Sequence, residues 1–175
     1  MRVLMSVSVL VAMSVPAAAQ DLSAFDTGPV FAEFGPHAPV PGAEPIDGLE
    51  RFAIAFDVAT RAEEGSRNRG FESAGRFLNM HVAAGVPEDR IELVVVVHGG
   101  AALDLVAGGA EGTGNASQAM VEALLAQGVR FILCGQSAAA QGIAKEDVID
   151  GVELALSAMT AHALLQRQGY TLNPF

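Results

Sequence analysis

One uninterrupted apolar segment constrains the fold of this chain more than any other feature. Residues 91–97 (IELVVVV) contain four consecutive valines and no polar side chain after Glu92. β-Branched residues favour strands, and a strand that is apolar on both sides needs cover on both faces of its sheet. The segment therefore predicts a central strand of a parallel sheet that lies between two layers of helices.

Helical patterns alternate with further short strands along the rest of the chain. We predict these strands at residues 51–58, 129–133, 152–156 and 170–172. Helices are predicted from Asn68 to Gly85, from an Asn115 cap to Gly128, and from a Ser157 cap to Gln168. Such alternation predicts an α/β protein, a flavodoxin-like three-layer sandwich with a five-stranded, mainly parallel sheet.

The composition limits the classes of partner. With 175 residues the chain has room for one compact domain, and its 51% hydrophobic content is too high for a disordered protein. The formal net charge is −10. Binding to phosphate backbones depends on basic patches, so no nucleic acid is expected as a partner.

The first nineteen residues have the pattern of a secretory signal peptide. Arg2 precedes an apolar run from Val3 to Val15, and the small residues Ala17 and Ala19 suit a signal peptidase. The run is short for a membrane-spanning helix. We therefore expect cleavage after Ala19, a periplasmic protein, and no association with the membrane after cleavage.

A Pro/Gly-rich extended arm is predicted at residues 20–50, before an α/β domain at residues 51–175. Prolines in the arm interrupt every helical or alternating pattern. Phe31 and Phe34 would be costly to leave exposed together. The arm is therefore expected to pack against its own domain or against a neighbouring subunit.

Cys134 is the only cysteine, which excludes an intrachain disulfide and a cysteine-rich zinc site. It follows a predicted strand and precedes Gly135, Gln136 and Ser137. Free backbone N–H groups at such a position lower a thiol pKa and favour the thiolate. Four roles remain open: a persulfide carrier, a covalent nucleophile, an interchain thiol and an inert core residue.

His98 and Gly99 form the second candidate position, because they end the valine strand at the edge where parallel sheets bind ligands. His98 is a candidate charge partner or base, or else a histidine bonded to a neighbouring loop. We interpret His81 and His162 as packing or surface residues. Scattered histidines predict no metal site, and no cofactor is expected. The candidate binding residues are Gly99, Asn115, Gly135, Gln136 and Ser137.

Several segments together resemble the DsrE/DsrF-like family in its exported branch. They are VVVVHGGAALDLV from Val94, Asn115, GVRFILCGQS from Gly128, and GVELALSAMTAHALLQRQGYTL from Gly151. The resemblance extends from about Phe52 to Phe175. It implies a flavodoxin-like fold, assembly into homotrimers or hexamers and, as in the sulfur-relay members, a cysteine that carries persulfide sulfur.

Two hypotheses of different class follow. In the first, the protein is a periplasmic sulfur carrier or sulfur-relay component in which Cys134 takes sulfane sulfur from a donor and passes it to an acceptor. In the second, it is a non-catalytic oligomeric protein that binds a small ligand or serves in assembly, and Cys134 only packs. Accessibility of the thiol near His98 or a subunit boundary distinguishes them.

Overall fold

In the part of the chain that the structure describes, the fold consists of one parallel sheet and four α-helices. A computed structural model describes residues 21–109 and 114–174, so the predicted signal peptide lies outside the described residues. The strands are β1 (Phe52–Val58), β2 (Ile91–Val97), β3 (Arg130–Cys134), β4 (Glu153–Ala155) and β5 (Thr171–Asn173). The helices are α1 (Arg69–Ala83), α2 (Gln118–Ala126), α3 (Gly135–Gln141) and α4 (Ala158–Arg167). Short 3-10 helices cover Glu88–Arg90, Gly99–Leu105 and Lys145–Asp147.

The strand order is β4-β3-β2-β1-β5, and all pairings of these five strands are parallel. From β1 to β4 the chain advances in one direction, and β5 then returns to the other side of β1. Because crossovers between parallel strands are right-handed, the change of direction places α4 on the opposite face from α1 and α2. The arrangement confirms the predicted α/β sandwich.

The two faces of the sheet carry separate apolar cores. The larger core, under α1 and α2, includes Val95 and Val97 of β2. The smaller core, under α4, includes Val94 and Val96 and also Cys134. The valine strand is thus covered on both faces, as its sequence predicts.

The arm packs against α1 of its own chain, which is the first of the two expected alternatives. Phe31 and Phe34 stack with ring centroids 4.5 Å apart and are buried. The fully buried Asn79 holds the arm, since its amide donates to the Phe31, Phe34 and Gly35 carbonyl oxygens, each at 3.0 Å. Its Oδ1 accepts from the N–H groups of Val30 and Phe31 at 3.0 and 2.8 Å.

α2 begins later than the predicted Asn115 cap implies, because its N-cap position is Ser117, but the Asn115 Oδ1 still accepts from the Ser117 N–H at 2.9 Å in the turn before the helix. The helix begins at Gln118, and Asn115 lies in the turn before it. The Asn115 amide donates to the carbonyl oxygens of Asp104 and Val106 at 2.8 and 3.0 Å. Tertiary contacts therefore use the side chain to brace the 3-10 helix Gly99–Leu105. Within residues 21–109 and 114–174, no helix has both the length and the apolar character that crossing a membrane requires.

Candidate functional site

Cys134 lies where β3 passes directly into α3, at the carboxyl edge of the sheet. The residue is 5% exposed. A Cβ atom on Gly135 would lie 2.7 Å from the Ala155 carbonyl oxygen, closer than real Cβ contacts occur. Glycine at this position allows α3 to begin immediately after the cysteine while β4 runs alongside.

Two opposing effects act on the thiol of Cys134. Burial raises its pKa, whereas the hydroxyl and N–H of Ser137 and the N–H groups of Ala158 and Gln136 lower it by hydrogen bonding. The hydrogen bonds outweigh burial, and the pKa of Cys134 lies below its ordinary value. The protein therefore favours the thiolate, the nucleophilic form of cysteine.

Ser137 joins the cysteine to the end of β2. Its Oγ accepts a hydrogen bond from the Gly99 N–H at 3.0 Å, so its own O–H is free to donate to the sulfur. The Gln141 amide donates to the Gly99 carbonyl oxygen at 2.7 Å. Gly99 has φ +54°, and a Cβ there would lie 3.0 Å from the Ala59 carbonyl oxygen. Glycine is therefore required at position 99 by both its backbone conformation and its close contacts.

His98 lies next to Cys134 across two neighbouring strands. Val97 pairs with Leu133, so His98 and Cys134 occupy the next positions of the same parallel register. Both continue the α4 face of the sheet, because each lies two residues beyond a member of the smaller core, Val96 or Ile132. Neighbouring parallel strands are about 4.8 Å apart, so the two residues are neighbours at the same edge and on the same face of the sheet.

Asp57, near the end of β1, is the nearest charged partner of this histidine. Its Oδ2 lies 3.2 Å from Nε2 of His98, and its Oδ1 lies 2.7 Å from Nε2 of His162 on α4. Burial raises the pKa of Asp57, but the hydrogen bonds from His162 and His98 outweigh it and the pKa is lowered overall. Asp57 is therefore a carboxylate held between two imidazoles.

A cavity of about 400 Å³ opens beside Asp57, between the end of β1 and the start of α1. Arg61, Glu63, Arg67 and Arg69 are among its lining residues. The carboxylate therefore borders a space that a small solute can enter from the loop after β1.

The structure brings most of the predicted site residues together. Those at one edge of the sheet are Cys134, His98, Gly99, Gly135, Gln136 and Ser137. Gln136 contacts the Leu156 carbonyl oxygen at 3.4 Å. Asn115 does not join them, because its side chain braces the segment from Asp104 to Val106.

Sequence reasoning missed Asp57 and gave His162 only a packing or surface role. A signal for Asp57 was present, since it is the one charged residue inside the apolar segment FAIAFDV. His162 is 105 residues away and gives no such signal. Within the described part of the chain, no group of three or more His, Cys, Asp or Glu side chains could hold a metal ion.

The DsrE/DsrF-like family model matches residues 51–174. The chain belongs to this family. Membership suggests a role in sulfur relay, and it agrees with the position of the one cysteine at the carboxyl edge. No curated protein matches the sequence.

Two solved structures are similar to this member of the family. One is a protein of unknown function, MTH1491, from Methanobacterium thermoautotrophicum, at 18% identity and a TM-score of 0.55 over 71% of this chain and 99% of that one. The other is the ychN protein from E. coli, at 25% identity and a TM-score of 0.47 over 71% of this chain and 100% of that one. The first likeness shows the shared fold.

Proposed function

We propose that this protein carries sulfane sulfur on Cys134. The thiolate attacks the terminal sulfur of a donor persulfide, R–S–SH. A bond forms between Cys134 Sγ and that sulfur, the bond to the R–S sulfur breaks, and R–S⁻ leaves with the electron pair. The proton stays on the transferred sulfur, and Cys134 becomes a persulfide that an acceptor thiolate can attack in turn. The cycle uses one cysteine.

The observation that carries the proposal is the set of hydrogen-bond donors around the sulfur. The Ser137 hydroxyl and the nearby N–H groups of α3 and α4 stabilise a thiolate, and an inert core cysteine needs no such donors. His98 in the adjacent register position supplies a charge partner or base. Family membership adds independent support, because it suggests sulfur relay.

Intact-mass analysis after exposure to polysulfide tests the carrier function. The parent protein is expected to gain the mass of one sulfur atom and to lose it on treatment with a thiol reductant. A Cys134→Ser variant should gain nothing. Since Cys134 is the only cysteine, a Met80→Ser variant, which changes an exposed methionine of α1, is the matched control and should gain sulfur as the parent does.

Alkylation with iodoacetamide provides the deciding contrast. The folded parent is expected to react at Cys134, with a pH inflection below that of the unfolded chain because hydrogen bonds lower the pKa of the thiol. If the thiol reacts only after unfolding, and polysulfide adds no sulfur to the folded chain, Cys134 is a packing residue and the carrier function is wrong.

The second candidate is a non-catalytic oligomeric protein that binds a small ligand or serves in assembly. Two observations favour it: Cys134 is only 5% exposed, and large apolar side chains near it are not covered. Leu156 and Met159 are 72% and 80% exposed. Residues 154–165 contain no Asp, Glu, Lys or Arg, so this surface avoids the repulsion that a net charge of −10 creates elsewhere between copies.

Both candidate functions are compatible with homo-oligomerisation through the uncharged surface of residues 154–165. A Leu156→Glu/Met159→Glu variant is expected to lose subunits, as measured by light scattering across a dilution series. A Leu22→Glu variant changes an exposed leucine of the arm and serves as the control. An unchanged mass for the double variant would place the interface elsewhere.

We further propose that the protein is exported to the periplasm, with residues 1–19 removed. The support is the sequence pattern of Arg2, the apolar run and Ala17-Ala18-Ala19. N-terminal sequencing of protein from a periplasmic extract should begin at Gln20. A chain that retains Met1 in a membrane fraction would contradict export as a cleaved protein.

A further inference from the structure

We propose that Asp57 is a positioning residue that holds His98 as its Nε2–H form, so that Nδ1 of His98 takes the proton from the Cys134 thiol. The inference rests on the proposed sulfur-carrier function and names the proton acceptor that this function needs. Asp57 itself does not contact the sulfur. It acts through the imidazole on the neighbouring strand.

The direction of the hydrogen bonds follows from the charge of Asp57. An ionised carboxylate only accepts hydrogen bonds, so Nε2 of each imidazole must be the donor. When His98 is neutral, its other ring nitrogen, Nδ1, then carries the lone pair. The carboxylate thereby decides which nitrogen of His98 is the base.

His162 fixes the carboxylate in turn. It binds Oδ1 at 2.7 Å, while His98 binds Oδ2 at 3.2 Å, so each oxygen has its own imidazole. His162 projects from α4 and its side chain is mostly buried, at 15% exposed. This second contact restrains rotation of the Asp57 carboxyl group and keeps Oδ2 on the side of His98.

The proposed proton transfer needs only the side chains of Cys134, His98 and Asp57. The S–H bond of Cys134 breaks, the electron pair stays on sulfur, and the proton binds Nδ1 of His98. The result is a thiolate beside an imidazolium whose Nε2–H still bonds the Asp57 carboxylate. After R–S⁻ has left a donor persulfide, the same proton is available to it.

Several charged or titratable groups lie around His98 and Asp57, and they come from different elements. On the sheet and α4 they are Asp57, Cys134 and His162, on the loop after β1 they are Arg61, Glu63 and Arg67, and at the start of α1 it is Arg69. From α3, the residues beside the thiol are the uncharged Gln136 and Ser137. Asp57 is the one carboxylate hydrogen-bonded to His98 among the described residues.

The pH profile of Cys134 alkylation by the neutral reagent iodoacetamide tests the inference from about pH 5 to about pH 9. Asp57→Asn is expected to move the inflection upward by about one unit, which lowers the rate near neutral pH by about tenfold. Loss of a negative charge acting directly on the sulfur would shift the inflection downward. The sign therefore separates positioning from direct electrostatics.

Two controls and a double variant complete the experiment. Asp89→Asn changes the net charge equally at an exposed position and should leave the profile unchanged. Asp57→Glu should restore part of the rate. Asp57→Asn/His98→Ala should behave as His98→Ala alone, because Asp57 acts through His98. Additive effects in the double variant would overturn the inference.

A measurement on the parent protein keeps the inference testable even if Asp57→Asn fails to fold. In ¹⁵N-labelled protein at a pH where His98 is neutral, its ring should show a protonated Nε2 and an unprotonated Nδ1. An Nδ1–H form would overturn the inference and leave the carrier function standing. A parent that takes no sulfur, but whose His98 has the expected form, would overturn the carrier function alone.

Discussion

The two faces of the sheet differ in how completely they are covered. On the first face, α1 and α2 cover a large apolar core, and the arm packs outside α1 through Phe31 and Phe34. On the second face, α4 covers a small core that consists mainly of alanine and valine. The candidate site lies at the edge of the second face, where Asp57, His98 and Cys134 end neighbouring strands.

The comparison shows how each face of the sheet supplies partners for its polar side chains. A polar group that is withdrawn from water needs partners, and on the first face the buried Asn79 binds backbone groups of the arm while the buried Asn68 binds Asp104. Asp57 meets this requirement with two imidazoles, and Cys134 meets it with Ser137 and backbone N–H groups. Stability is expected to depend mostly on the α1 face, and thiol chemistry on the α4 face.

The largest effect on stability is expected from Asn79→Ala. The change removes five hydrogen bonds between α1 and the arm and leaves buried backbone groups of the arm without partners. The free energy of unfolding should fall by about 3 kcal/mol, measured by urea denaturation. The alkylation profile of Cys134 should stay as in the parent, since the arm lies on the other face.

Ser73→Ala is the matched control on the same helix. Its hydroxyl donates only to the Arg69 carbonyl oxygen, at 3.1 Å at the surface, so the free energy of unfolding should change by less than about 0.5 kcal/mol. An Asn79→Ala protein with altered thiol reactivity would show that the two faces are coupled and would break the comparison.

A pair of glycine variants tests whether the two faces act independently. The expected loss of stability is smaller than for Asn79→Ala. Gly135→Ala places a Cβ 2.7 Å from the Ala155 carbonyl oxygen, which is backbone and can move only with β4. Unfolding free energy should fall by about 1 to 3 kcal/mol, and the Cys134 inflection should rise as α3 shifts. Gly75→Ala instead meets the Phe34 ring at 2.7 Å and should leave that inflection unchanged.

Thermal denaturation measures the stability of both glycine variants, and the pH profile of iodoacetamide alkylation measures the Cys134 inflection in each. If Gly75→Ala moves the thiol inflection as far as Gly135→Ala does, the site depends on the α1 face as well.

The smallest effect is expected from Ser137→Ala. The variant removes the hydroxyl that helps to lower the pKa of Cys134, so the alkylation inflection should rise by roughly half to one pH unit. A thiol whose pKa is lowered in the folded state stabilises the fold above its unfolded pKa. This contribution is lost as the pH falls through the folded pKa. The variant should therefore lose more stability at alkaline pH than at acidic pH, where only the hydrogen bond from the Gly99 N–H is lost.

Comparison of unfolding free energies on both sides of the thiol titration checks the sign. Ser73→Ala is again the control, because it removes a serine hydroxyl from the other face. An inflection that does not move in Ser137→Ala would assign the lowered pKa to the backbone N–H groups alone.

The sequence by itself determined the sheet and its layers. The apolar run LVVVV between Glu92 and His98 predicts a strand that is covered on both faces, and the helical spacing between the strands predicts crossover helices. The same local patterns placed Cys134 and His98 at strand ends, and they formed one edge because parallel strands end together. These patterns are local, because each can be recognised within its own segment without knowledge of the rest of the chain.

Only the tertiary structure decided which distant polar groups meet. Asp57 and His162 come together because β5 returns beside β1 and α4 crosses the opposite face, a consequence of strand order that no local pattern encodes. Asn79 likewise binds backbone carbonyl groups of the arm that lie 44 to 48 residues away in the sequence. Whether a hydrogen bond forms depends on differences of a few tenths of an ångström between donor and acceptor, and the packing of the whole domain sets these positions.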